Sequence, residues 1–230
     1  MAVSEQRSVI IKQVLNRMDE ICPEEDINVV EGELIDSLLD NALVEYLLMA
    51  NVNKIPNVRT RKYGEEAPAT DDESGSQEES FKVVDNVIEA PADYLRMVSV
   101  GCPEWRRNLY ESDCVSTTSL AWKMATFPFH EPTPLKPMLA VLPHAEDEGV
   151  RFHLAPCKNG KCTLTYVYNT TPEALLEKLG EADGFYQAYV WYVAYVTLTT
   201  MGQLDTAPLA MQHAQAYQTI PNGVTAAPSK

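Results

Sequence analysis

The sequence predicts an α+β fold in which helices from the two ends of the chain pack together and a β part is inserted between them. Three observations predict it. Helical periodicity is confined to residues 5–51 and 172–217. Strand-like alternation fills much of 81–170, and five prolines crowd 128–143. The organisation that follows is an N-terminal helical hairpin over 1–62, an acidic loop over 63–80 and a β-rich insertion with a proline-rich arm over 81–170. C-terminal helices over 171–217 then pack on the first segment, and an extended tail covers 218–230.

Each element has its own signal. Val9, Ile10, Val14, Met18 and Ile21 share one face of a helix over 5–21, which Pro23 ends. Leu34, Ile35, Leu38, Leu39, Ala42, Leu43, Tyr46, Leu47 and Ala50 form a broad apolar stripe over 31–51, and the two helices are expected to pair antiparallel. Residues 64–80 hold seven acids among Gly, Ser, Ala and Pro, with too little apolar surface to offset chain entropy, so a solvated loop is expected. Pro91-Ala92-Asp93 opens a turn, Arg96 to Val100 alternates as a strand, and Trp105 to Cys114 is its expected partner across Gly101-Cys102-Pro103. Proline at the density of 128–143 excludes helix and interior strand, leaving an extended arm. Val150, Phe152 and Leu154 alternate before Asn159-Gly160, and Leu164, Tyr166 and Tyr168 after it, which reads as a hairpin. Thr171 caps a helix opened by Pro172, Phe185 to Met201 is a helix apolar on nearly every face, and a last helix runs from Pro208 to about Tyr217.

Composition narrows the function. A formal net charge of −15 and a pI near 4.6 repel phosphate backbones, which argues against tight contact with nucleic acid. No run approaches the ~18 apolar residues of a membrane span, and the first residues lack a signal-peptide pattern, so a soluble protein is expected. The phosphate-loop, dinucleotide-binding, nucleophile-elbow and zinc-protease motifs are absent from the sequence. The histidines His130, His144, His153 and His213 pair with no nucleophile by spacing. The five cysteines are odd in number and scattered. Cys157 and Cys162 flank the expected turn. They are read as reduced structural thiols, with a hairpin disulfide and, behind it, a metal as the alternatives. No catalytic residue, cofactor or metal ligand is assigned.

The order of segments resembles the head-to-tail connector proteins of podovirus-like tailed phages, which include adaptor and tail tubular proteins and the ring proteins of crAss-like phages. The likeness rests on Ala90-Pro91-Ala92-Asp93-Tyr94-Leu95-Arg96-Met97-Val98-Ser99-Val100 followed by Trp105-Arg106-Arg107, and on Pro134-Leu135-Lys136-Pro137-Met138-Leu139-Ala140-Val141-Leu142. It rests also on Arg151 to Tyr168 running into Thr171-Pro172-Glu173-Ala174-Leu175-Leu176, and on the N-terminal helix pair. The acidic segment 64–80 departs from the family, where a short link is expected. The resemblance implies a non-enzymatic ring, usually of twelve copies, docked on a portal protein and on other connector or tail proteins. DNA then passes through the lumen without tight binding, no membrane is involved, and the protein resides in the virion after assembly in the host cytoplasm.

Contact residues follow from what one chain is expected to leave uncovered. The arm offers Phe127, Phe129, Pro132 and Pro134, and the tail offers Ile220 and Pro221. The helix carrying Tyr189, Trp191, Tyr192 and Tyr195 is expected to exceed one small core and to lie at or just beneath a subunit interface. Two other classes compete: a hydrolase-type enzyme with a non-local site, and an acidic binding module or chaperone.

Overall fold

In chain order the elements are α1 (Glu5–Ile21), α2 (Val29–Met49), β1 (Val58–Tyr63), β2 (Val87–Glu89), β3 (Tyr94–Gly101), β4 (Leu109–Tyr110), β5 (Cys114–Ser116) and α3 (Leu120–Met124). Then come β6 (Met138–Leu142), β7 (Arg151–Ala155), β8 (Cys162–Tyr168), α4 (Pro172–Leu179), α5 (Gly184–Thr200) and α6 (Ala207–Thr219). The computed structural model describes residues 5–22, 29–64, 83–125, 127, 129–142 and 149–219, with the backbone alone at 29–31 and 219. The chain forms two units, Met1–Asn57 with Asn169–Lys230, and Val58–Tyr168. This is the α+β arrangement expected, with both chain ends in one helical unit and the β part inserted. The division falls at Asn57, because Val58–Tyr63 is a strand of the second unit. From residue 65 the acidic loop, and from residue 220 the tail, lie outside the described residues.

The helical unit is organised around α5. Asp183 starts this helix, its carboxylate accepting the N–H groups of Phe185 and Tyr186. The helices α1, α2, α4 and α6 all pack on it. They bury Ile10, Val14 and Met18 from α1, Ile35, Leu39, Leu43 and Tyr46 from α2, and Leu175 from α4. From α6 come Ala207, Ala210 and Ala214, whose small side chains let two helices approach closely. Gly32 faces Ile11, whose side chain a Cβ at position 32 would touch, while Arg7, one turn earlier, meets Asp36 and Asp40 one and two turns later. That opposite progression makes α1 and α2 the expected antiparallel pair.

Arg7 ties three helices. Its guanidinium donates to the Asp36 carboxylate and, at 2.8 Å, to the Asp36 carbonyl. It also reaches Asp40 at 2.9 Å and Glu173 of α4 at 3.0 Å. Burial pushes the Glu173 carboxyl up, but its own backbone N–H and the Arg7 charge outweigh that and hold it below the usual value of 4.5. A depressed carboxyl stabilises the fold above its unfolded pKa, and the contribution is lost as pH falls through the folded value. Arg7→Met is therefore expected to destabilise the protein by about 2 kcal/mol at neutral pH, a figure for charged hydrogen bonds discounted for the exposure of Asp40. Urea unfolding should show that difference shrinking as pH falls below about 4. A constant difference down to pH ~2 would mean that ionised Glu173 takes no part.

The β unit has two four-stranded sheets, ordered β1-β8-β3-β4 and β2-β7-β6-β5, antiparallel except for the parallel pair β5–β6. They share one core of Tyr63, Ile88, Met97, Val100, Leu109, Leu139, Phe152, Leu154, Leu164 and Tyr166. The strand β3 meets β4 as Ser99↔Tyr110 and Val100↔Leu109, the pairing expected across Gly101 to Pro103. In the turn before β3, Asp93 accepts from Arg59 at 2.6 Å and from the Tyr166 hydroxyl at 3.0 Å. It thus ties that turn to β1 and β8.

Two strand expectations are corrected. Residues 151–168 are not a hairpin: β7 pairs with β2 and β6, and β8 pairs with β1 and β3 in the other sheet. Pro156 has no N–H to continue a ladder, so β7 stops at Ala155 and residues 156–161 carry the chain between sheets. The two-residue hairpin turn lies elsewhere, at Asp85 and Asn86 with φ +51 and +64, between Val84 and Val87, which exchange both backbone hydrogen bonds. The arm is also not extended throughout. Residues 138–142 form an interior strand between β5 and β7. The five prolines all fall outside it, so every residue of β6 keeps its donor.

Candidate interaction surface

The described residues between 120 and 136 form a surface segment pinned at three points. Ser119 caps α3, its hydroxyl accepting the Trp122 N–H at 3.2 Å. The Trp122 ring meets His153 edge-on at 4.9 Å. On β7, His153 alternates with the buried core residues Phe152 and Leu154, so Trp122 covers the opposite face of that sheet. Burial pushes His153 toward its neutral form. Downstream, a turn closes from His130 N–H to the Phe127 carbonyl at 2.9 Å. A second turn joins Thr133 and Lys136, and the Arg106 N–H donates to its Pro134 carbonyl at 3.1 Å.

While Trp122 and Pro137 turn inward, four large apolar side chains turn out. Leu120 is 75% exposed, Phe127 56%, Phe129 98% and Leu135 61%. Single exposed apolar residues are ordinary, but four within sixteen positions of one pinned segment make it the candidate interaction surface. Around them stand the exposed Lys123, Lys136 and Arg106, and Arg107, which is paired with Asp113 at 3.2 Å, with Glu131 the acid in the segment.

Charge divides unevenly between the units. Residues 1–57 and 169–230 hold six basic against sixteen acidic residues, and 58–168 hold twelve against seventeen. Ten of those seventeen acids lie in 65–79 and 146–148. Without these two segments the β unit carries twelve basic against seven acidic residues.

The expected contact residues separate accordingly. Phe127, Phe129 and Pro134 are exposed, and Pro132 is half-buried. On α5, Tyr189, Trp191 and Tyr192 are buried by the chain's own helices, which leaves them beneath the surface of the single chain. Tyr195 is half-buried, its ring 5.8 Å from Tyr192. The Trp191 ring is occupied by Arg17 at 5.3 Å and a stacked His213 at 4.4 Å. Ile220 and Pro221 lie outside the described residues. Leu120, Trp122 and Leu135 were missed, because a helix of five residues shows no periodicity and Leu135 sits in a short turn.

Other chemistry-bearing groups are built into the core. All five cysteines are free thiols. Cys102, Cys157 and Cys162 are buried together, and the Gly101↔Thr163 pairing of β3 and β8 points to Cys102 opposite Cys162 at the next step. Burial pushes the Cys162 thiol up to about 12 and Cys102 higher still, which leaves both protonated and unreactive. Among the described residues, no group of three or more His, Cys, Asp or Glu side chains could hold a metal ion. His144 lies outside the described residues, and His130 is exposed. No helix of the described residues is long and apolar enough to cross a membrane.

In comparisons with known proteins, no family model and no curated protein matches this chain.

Proposed function

We propose that this chain is a structural subunit that assembles with copies of itself into a ring, and that the ring belongs to the head-to-tail connector of a tailed phage. The observation that carries the reading is the pinned segment 120–136, which presents Leu120, Phe127, Phe129 and Leu135 to solvent from a chain whose other large aromatic side chains are mostly covered. An apolar surface held in one geometry suits a permanent contact, where its burial supplies the driving force. The sequence resemblance gives the context: identical subunits, usually twelve, docked on a portal protein around a passage for DNA. Net acidity suits that passage, because a negative wall repels the duplex and keeps it moving.

Native mass spectrometry of the full chain, alone and mixed with a portal protein, tests the reading. A closed oligomer of 25.7 kDa subunits, or a portal complex, is expected. The Phe127→Ser, Phe129→Ser double variant is expected to fold as the parent and remain monomeric. A parent chain that stays monomeric in both settings removes the proposal, and turnover by such a monomer points instead to an enzyme. Salt-sensitive, sub-micromolar affinity for duplex DNA removes the passive channel.

A further inference from the structure

We propose that the apolar, basic segment 120–136 of one subunit docks on the outer face of α2 in the helical unit of a second copy. The inference rests on the ring reading and specifies which surfaces meet. Symmetry is the first argument. A two-fold contact sets a patch against itself, which here would bring Lys123, Lys136, Arg106 and Arg107 toward their own copies. A head-to-tail contact joins two different patches and, repeated, closes a ring. The mate of a basic, apolar patch is then an acidic patch with apolar surface of its own.

One helix offers this. Its sequence gives α2 five acids, Glu31, Glu33, Asp36, Asp40 and Glu45, and no basic residue. Glu33, Asp40 and Glu45 are exposed, Asp40 while paired with Arg7 and Glu45 while accepting the Tyr192 hydroxyl, and Leu48 and Met49 at its C-terminal end are exposed as well. The other outer helices answer less well. The sequence of α6 contains no acid, α1 mixes Lys12 and Arg17 among its acids, and the eight-residue α4 has two acids and one lysine. The helical unit is the more acidic of the two, with sixteen acids against six basic residues where the β unit has seventeen against twelve. Phe127 and Phe129 would cover Leu48 and Met49, while Arg106 and Lys136 would face the carboxylates.

The test uses charge exchange in the full chain. Arg106→Glu with Lys136→Glu makes the segment acidic, and Glu33→Lys with Glu45→Lys makes the exposed face of α2 basic, since its remaining exposed acid, Asp40, is paired with Arg7. Each pair alone sets like charges together and is expected to weaken self-association about tenfold or more by native mass spectrometry. All four substitutions in one chain restore opposite signs, so assembly is expected to return. Circular dichroism checks folding. Should either pair disturb the fold, the unmodified chain decides: dissociation should rise as salt increases from about 0.05 M to about 0.5 M. An assembly that either pair leaves unchanged, or that is insensitive to salt, overturns this contact and leaves the ring standing. A four-fold variant that stays monomeric where both pairs fold overturns it too. A parent chain that never assembles removes both the ring and the contact.

Discussion

Tyr189→Ala is expected to destabilise the helical unit by about 4 kcal/mol, in the range measured for truncating a large buried ring. The ring is wholly buried, 6.2 Å from that of Tyr46 and 6.4 Å from that of Tyr186. Its hydroxyl donates to the Leu39 carbonyl of α2 at 3.0 Å. Truncation removes the contacts that join α5 to α2 and leaves a cavity that packed helices on several sides cannot close. Against a whole stability of about 5–15 kcal/mol, that loss should raise the open population of the helical unit by about three orders of magnitude. Tyr189→Phe removes the hydroxyl alone and should lose about 1 kcal/mol, because the Leu39 carbonyl remains within the ladder of α2. Burial holds the phenol well above its ordinary 10, so the Tyr-to-Phe difference should be flat from about pH 5 to pH 9. Urea titration and amide exchange measure both. A loss near 1 kcal/mol for the alanine variant would mean that α5 is not the centre of this unit.

What could be read in advance follows from which physical signals are local. The cap at Thr171 and the stripe of α2 are local, and those helices appear where the pattern puts them. That α5 is buried was also legible, since nearly every face is apolar. That helices from both chain ends pack on it was expected too; how completely they cover it was not, because part of that cover comes from α1 and α2, more than a hundred positions away. Alternation of Phe152 with Leu154, and of Leu164 with Tyr166, correctly shows which side chains enter the core. It cannot show which strands pair. Pairing β8 along six residues of β1, with β3 on its other side, outweighs what the local Asn159-Gly160 pair could gain. The true hairpin turn at Asp85-Asn86 has a weaker signature than Asn-Gly and was passed over. Proline misled at β6 by density, where only position within the strand matters. In the candidate surface, Phe127 and Phe129 stood out because prolines kept them from any regular core element. Leu135 and Leu120 needed coordinates, since exposure at a turn or in a short helix leaves no periodic trace.

Trp105→Ala is expected to loosen the β unit by about 3–5 kcal/mol and to open its thiols. Trp105 is buried, and its indole N–H donates to the Pro156 carbonyl at 2.6 Å. Beside it, the Glu104 carboxylate accepts the Lys158 N–H at 2.7 Å. Together they clasp the connection after β3 to residues 156–161, the crossover between the two sheets. Neither sheet hydrogen-bonds this crossover as strand, so the clasp and the burial of Cys157 hold it. Without the ring the crossover should detach before the sheets do, since local openings require less free energy than global unfolding. Cys157 reports it. Its thiol is buried and burial pushes its pKa up, so it should react slowly in the parent chain. Each ~1.4 kcal/mol lost raises the open population about tenfold, so labelling of Cys157 should accelerate by two orders of magnitude or more. The half-exposed Cys22, in the other unit, should keep its rate. Trp105→Phe, which keeps most of the apolar contact but strands the Pro156 carbonyl, should fall between, with a loss of about 1–3 kcal/mol. Labelling of Cys157 at the parent rate in a folded Trp105→Ala protein would show that another contact holds the crossover in place.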